Sequence, residues 1–167
     1  MNTLKALFAV LALSFSMHAF AMTDDESVEF TDAVGKGDIK LVKKYVARYP
    51  EAINEKFFAW SPLQMAATKG QFDMVKYLTE KGADKDYVHP MTKMNAFHLA
   101  AFDGYDNIVK YLAEKGADLN KKLKGDVSIL RIVREEVSVR DAKYAKMVDL
   151  LTSLGVKDDG CLEEKCF

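Results

Sequence analysis

Cysteine, proline and tryptophan are scarce in this chain of 167 residues: it has two, three and one of them. Both cysteines, Cys161 and Cys166, lie near the C-terminus, so no disulfide framework can hold the interior. Two cysteines without a neighbouring histidine also make a poor zinc set. A disulfide between them would close a short loop and contribute roughly 2 kcal/mol in the chain-entropy model, pinning the tail and not the core. Two free thiols or an intermolecular bridge are the alternatives. Histidine is nearly as rare, at His18, His89 and His98. The chain has no G-x-S-x-G elbow, no H-E-x-x-H and no glycine loop able to cradle phosphates. Asp84 and Asp86 resemble the opening of a calcium loop, but the glycine and terminal glutamate are missing. No enzyme, cofactor or resident metal is therefore expected. The competing reading is a small metal-binding or enzymatic protein using His89, His98 and the cysteines.

Hydrophobic residues make up 49% of the chain and charged ones 29%, the balance of a soluble chain that can build one core. The N-terminus departs from this average. Lys5 is its only early charge, residues 6–16 are an apolar run, and Ala19, Phe20 and Ala21 have the small-x-small form of a cleavage site. Residues 1–21 are expected to be a secretory signal peptide of bacterial type, too short for a stable membrane span; an uncleaved amphipathic or anchoring helix is the alternative. No cysteine lies near the cleavage point, so a lipid anchor is not indicated. The expected destination is the periplasm, an oxidising compartment in which the two cysteines could pair. Cleavage removes one lysine and leaves 23 basic against 25 acidic residues, a net charge of −2. That balance provides no general field for nucleic acid or an anionic membrane.

The organising feature is a stretch written twice. Residues 61–86 read SPLQMAATKGQFDMVKYLTEKGADKD, and residues 95–120 read NAFHLAAFDGYDNIVKYLAEKGADLN. Ala66/Ala100, Gly70/Gly104, Tyr77/Tyr111, Leu78/Leu112 and Gly82/Gly116 are each separated by 34 residues. A period of this size signals stacked helical units. The pattern resembles the ankyrin repeat, whose consensus runs approximately TPLHLAA..GH.EVVK.LLE.GADVN. The resemblance implies an all-α solenoid of about four helix-turn-helix units with short hairpin fingers. The units are placed at about 22–54, 55–87, 88–121 and 122–157, followed by a tail at 158–167.

Local signals agree with that register. Thr23 and Glu26 form a capping box, and Phe30, Ala33 and Val34 follow as an apolar stripe. Gly35, Lys36 and Gly37 should break this first helix. A second helix with Ile39, Leu41, Val42, Tyr45 and Val46 should stop before Pro50. In the next unit Ser61 is the cap and Pro62 is preset for the first helical position. Gly70 should reverse the chain with positive φ, and Gly82 should close the outer helix. Asn95, Gly104 and Gly116 repeat these roles. The resemblance places His98 at the family's structural histidine, hydrogen-bonded across the loop to the next repeat. Ile129, Ile132 and Val133 open a longer fourth unit whose extra residues fall around 136–143. Its outer helix contains Met147, Val148, Leu150 and Leu151.

The resemblance also implies where a partner would sit: on the fingers and on the exposed side of the inner helices, which line a concave surface. The first finger contributes Phe57, Phe58 and Trp60, the second Tyr87, His89, Met91 and Met94, and the third Lys124 and Asp126. The inner helices add Thr68 and Lys69, then Phe102 and Asp103, then Arg134 and Glu135. Apolar residues at finger tips suit a docking surface. Alternatively, Phe57, Phe58 and Trp60 fold beneath the first helix pair, which lacks a hairpin of its own. Ala59 and Lys93 stand where the family usually has the finger's glycine, so the turns could differ. The expected function is non-catalytic binding of a folded protein, the chain itself being a monomer without stable membrane insertion. By resemblance to exported bacterial ankyrin proteins, two roles follow: accessory or protective protein of a periplasmic enzyme, or immunity protein against a secreted effector such as a phospholipase. An eroded structural or oligomerising domain is a third reading.

Overall fold

The computed structural model describes residues 21–137 and 142–159. They form eight helices in four consecutive hairpins: α1 (Asp24–Lys36) with α2 (Ile39–Arg48), α3 (Pro62–Thr68) with α4 (Phe72–Glu80), α5 (Ala96–Asp103) with α6 (Asp106–Glu114), and α7 (Ile129–Val137) with α8 (Ala142–Ser153). A 3-10 turn at Pro50–Ile53 follows α2. Among the described residues no helix is long and apolar enough to cross a membrane. Residues 1–20 of the expected leader and both cysteines lie outside the described residues, as do positions 138–141 of the expected insertion.

Each helix starts and stops for a local reason. Thr23, Ser61 and Asn95 all close capping boxes, with Glu26, Gln64 and His98 as the returning side chains. These reciprocal bonds satisfy amide groups that a first helical turn leaves unpaired. The break expected at Gly35, Lys36 and Gly37 falls at the last of the three. The helix continues to Lys36 and ends at Gly37, which takes φ +76°. A single glycine in helical conformation costs only about 1 kcal/mol, and the left-handed residue two positions later is what reverses the chain.

No hairpin could bury its own stripe. Inner helices pack in the order α1, α3, α5, α7, and outer helices α2, α4 and α6 follow the same order beside them. Ala66, Ala67, Ala100 and Ala101 are fully buried between the inner helices, where small side chains allow close approach. Leu63, Leu78, Phe97, Ile108, Leu112 and Met147 fill the layers between units in one continuous core. Burial of each such side chain contributes roughly 1.5–3 kcal/mol. A polar ladder runs parallel to that core. The side-chain oxygens of Asn54, Asp86 and Asn120 accept the backbone N–H of Asp84, Asp118 and Lys157, at 2.8, 2.7 and 2.7 Å. Each end-of-unit side chain thus satisfies an amide one unit further on.

Glycine is required where the next unit presses on a left-handed turn. Gly70 has φ +68°, and a Cβ there would sit 2.7 Å from Cζ of Tyr105. Gly82 has φ +87°, and a methyl added there would have nothing within 4 Å. Gly82→Ala should therefore cost only the left-handed penalty, about 1–2 kcal/mol. Gly70→Ala should cost a further 1–3 kcal/mol or so, the usual range for overpacking. Equal losses in urea unfolding of the two variants would contradict the close packing of Tyr105 on this turn.

His98 is fully buried. Its Nδ1 accepts the Asn95 N–H at 3.3 Å, while Nε2 lies against the Leu119 backbone without a hydrogen bond of good geometry. The bonds to the next unit come instead from Asn95, whose amide donates to Asp118 O at 2.9 Å. One unit earlier, Gln64 donates to Met94 O at 2.9 Å. Burial lowers the His98 pKa from 6.5 to about 4, with the Leu119 backbone and Asp118 opposing the shift. Between those values the unfolded chain binds a proton that the folded one excludes, so stability falls as pH drops from 6.5 towards 4. The loss should reach roughly 3 kcal/mol at the lower end. His98→Gln, which copies the neighbouring unit, should flatten this part of the pH–stability curve. An unchanged slope would mean that His98 is not excluded from protonation.

Candidate functional site

The fingers are where local conformation departs most from what the residue types prefer. Phe57 and Trp60 form an antiparallel bridge, N–H to O at 2.9 and 3.0 Å in the two directions. Between them Phe58 and Ala59 both take positive φ, +51° and +70°. Two consecutive left-handed residues closing a two-residue hairpin make a type I′ turn, which favours Asn-Gly. A phenylalanine and an alanine in these positions are strained, by roughly 1–2 kcal/mol each. Lys93 in the second finger also adopts the left-handed conformation, φ +61°. Ala59 and Lys93, where the family usually has glycine, thus take the left-handed conformation without one and load the turns with strain.

The neighbouring finger holds this strained turn in place. The Tyr87 hydroxyl donates to the Ala59 carbonyl at 2.8 Å. Lys56 lies over the Tyr87 ring, 4.2 Å from its centre. The Trp60 and His89 rings stack with centroids 4.5 Å apart. The second finger closes on itself, His89 N–H to Met94 O and Lys93 N–H to His89 O, both 2.9 Å, and Lys124 N–H reaches back to Thr92 O at 3.1 Å. The three fingers are therefore tied into a row by main-chain and aromatic contacts.

At the first finger this row meets the inner helices in an open pocket of about 300 Å3. It is lined by Phe57, Phe58 and Trp60 of the finger, by Thr31 and Gly35 of α1, and by Met65 and Thr68 of α3 with Lys69 at that helix's C-terminal cap. The pocket exists partly because position 35 has no side chain: a Cβ there would meet only Lys69 Cγ, at 3.9 Å. Among the described residues the Thr68 hydroxyl has no hydrogen-bond partner.

The residues named from sequence divide sharply. Phe57 is 6% exposed and packs on Phe30, with ring centroids 5.4 Å apart. It thus folds beneath the first helix pair, since the N-terminal hairpin has no finger to cover its core, while still contributing to the pocket lining. Phe58 points outward, 91% exposed, and so does Met91, at 72%. Trp60, Tyr87, Met94, Thr68, Phe102 and Asp103 are half-buried, Lys69, Lys124, Asp126 and Glu135 are exposed, and His89 is buried under Trp60. Arg134 is exposed and paired with Asp158 at 2.7 Å. The pocket gathers Phe57, Phe58, Trp60, Thr68 and Lys69; the second- and third-finger residues lie outside it. Sequence reasoning missed Thr31, Gly35 and Met65. The equivalent turn glycines Gly37 and Gly70 lie 33 residues apart, so carrying that register back sets Gly35 level with Thr68 and would have found it, whereas Thr31 and Met65 correspond to no residue named as a contact. Among the described residues no group of three or more His, Cys, Asp or Glu is placed to hold a metal ion.

Since Phe58 is almost fully exposed, its burial cannot offset the strain of its backbone. Replacing Phe58 and Ala59 together by Asn and Gly should stabilise the chain by about 1–2 kcal/mol. A lower unfolding midpoint in this variant would show that the Phe58 ring contributes more to the fold than its exposure implies.

No curated protein matches the chain. Residues 30–122, 93 of the 167, match the family model described as ankyrin repeats (3 copies). That segment runs from Phe30 in α1 through the end of the third hairpin, and so covers the row of fingers down to Lys122 and all the pocket residues. The chain belongs to the ankyrin-repeat family, whose stacked units act as protein–protein interaction modules.

Proposed function

We propose that this chain is exported to the periplasm with loss of residues 1–21, and that it docks there, as a monomer, onto a folded protein partner. The docking face is the finger row together with the inner-helix surface beside it. The family is generally one of non-enzymatic binding modules, and occupation of a surface is the whole mechanism. The observation that carries the reading is Phe58, an aromatic ring displayed in solvent by a strained turn beside a pocket. Strain of this kind persists when function depends on it. Exposed aromatic anchors next to concave surface are the usual centres of protein interfaces.

Two roles fit such a module. It could shield or support a periplasmic enzyme, or it could block a toxic effector, such as a phospholipase, that reaches the periplasm. Stoichiometric inhibition of the captured protein marks immunity, and a longer active lifetime marks support. Capture from periplasmic extract followed by mass spectrometry identifies the partner. Phe58→Asp with Met91→Asp, two exposed positions, should weaken that capture at least tenfold, about 1.4 kcal/mol. Helicity should not change. Undiminished capture by the double variant would place the interface elsewhere.

A further inference from the structure

We infer that the pocket at the first finger receives an apolar side chain from an acidic segment of the partner, with the lysines of the fingers pairing with its carboxylates. This rests on the protein-docking reading above and specifies the chemistry of what docks. Three observations support it. The first is the shape and lining of the pocket. About 300 Å3 is the lower end of the range for small-molecule sites, about 300–1,000 Å3, and suits one large side chain. Its walls are three aromatic residues, a methionine, a glycine and two threonines, and Lys69 contributes the single charged group.

The second observation is charge. The finger segments 56–60, 87–94 and 121–126 contain five lysines and one aspartate in a chain of net charge −1. Lysine therefore outnumbers acid within the fingers themselves, with Glu55, Asp84 and Asp86 at their bases. Lys69, Lys93, Lys121, Lys122 and Lys124 are exposed and form no ion pair among the described residues. The third is arrangement. The Lys124 N–H is bonded to Thr92 O at 3.1 Å, so Lys93 and Lys124 stand close together on the second and third fingers, the two fingers beyond the one that lines the pocket. An extended segment with its apolar residue in the pocket passes Lys93 and then Lys124. A second copy of this chain presenting its own fingers would set lysine against lysine, which disfavours self-pairing.

A random twelve-residue peptide library displayed on phage, selected on the purified protein, tests this directly. Enriched peptides should contain an aromatic or long aliphatic residue flanked by Asp or Glu. For the strongest of these, Gly35→Leu, which adds a side chain to the pocket lining, should weaken binding at least tenfold. Lys93→Glu with Lys124→Glu should weaken it tenfold at low salt and much less at about 1 M, where charges more than about 3 Å apart are screened. Enriched peptides that are neutral or basic, or that bind both variants as tightly as the parent protein, overturn the inference, and so does the absence of any enrichment. Two further arms also overturn it. One is a concentration-dependent dimer in sedimentation that Phe58→Asp abolishes, since a second copy would then fill the site. The other is a shift of Trp60 fluorescence on vesicles of phosphatidylglycerol, which would make the finger row a membrane surface. Failure of the peptide arms leaves the broader docking reading standing, since that is decided by capture of the partner and its loss in the Phe58/Met91 variant; the dimer and vesicle results would count against both.

Discussion

Close contact between inner helices is the constraint on which the rest of the structure depends. Alanines at 66, 67, 100 and 101 are fully buried, and any larger side chain there would push adjacent units apart. The outer-helix stripes and the polar ladder both require that spacing. Asn54, Asp86 and Asn120 reach amide groups one unit further on, a distance only short side chains on closely packed units can span. Tyr105 packs over Gly70 for the same reason. In a linear array of this type each unit is stabilised mainly by its neighbours, so register, once set between one pair of units, extends to the next.

The rigidity of the stack explains how the fingers can be strained. Left-handed Phe58, Ala59 and Lys93 would relax in an isolated hairpin. Here the Tyr87 hydroxyl fixes the Ala59 carbonyl, the Trp60–His89 stack ties the first two fingers, and Lys124 ties the third to the second. Phe58 is thereby displayed and Phe57 withdrawn, although the two are adjacent and chemically identical. The backbone of the turn and the contacts that hold it distinguish them. Burial of Phe57 against Phe30 covers the open end of the first hairpin, so one dipeptide serves both the core and the surface.

The N-terminal hairpin is also held by polar contacts that the inner units lack. Tyr45 and Tyr49 donate to Glu29 and Glu26, and Arg48 pairs with Glu26 at 2.8 Å. The bond to Glu29, together with burial, raises the Tyr45 pKa to about 12, which keeps the hydroxyl a donor. These bonds cross from α2 to α1 on the side where no further unit packs. End units of such arrays face water on one side and need polar contacts of this kind.

Much of the fold was legible in the chain itself. The 34-residue period, the capping residues Thr23, Ser61 and Asn95, and the stops at Gly37, Gly70 and Gly104 are local signals, and each depends on a few neighbouring residues. They determined the number of hairpins, their register and the buried stripe of each helix. Only the folded stack decided which finger residues are free. Whether Phe57 or Phe58 is buried depends on φ at positions 58 and 59 and on contacts with Phe30 and Tyr87, which are distant in sequence. The pocket has the same origin: Thr31 and Gly35 come from a unit whose consensus has eroded, and they meet Met65 and Lys69 only because α1 and α3 pack side by side. Local chemistry specifies elements, whereas a binding surface is assembled from pieces of several units and takes its shape from how tightly those units approach.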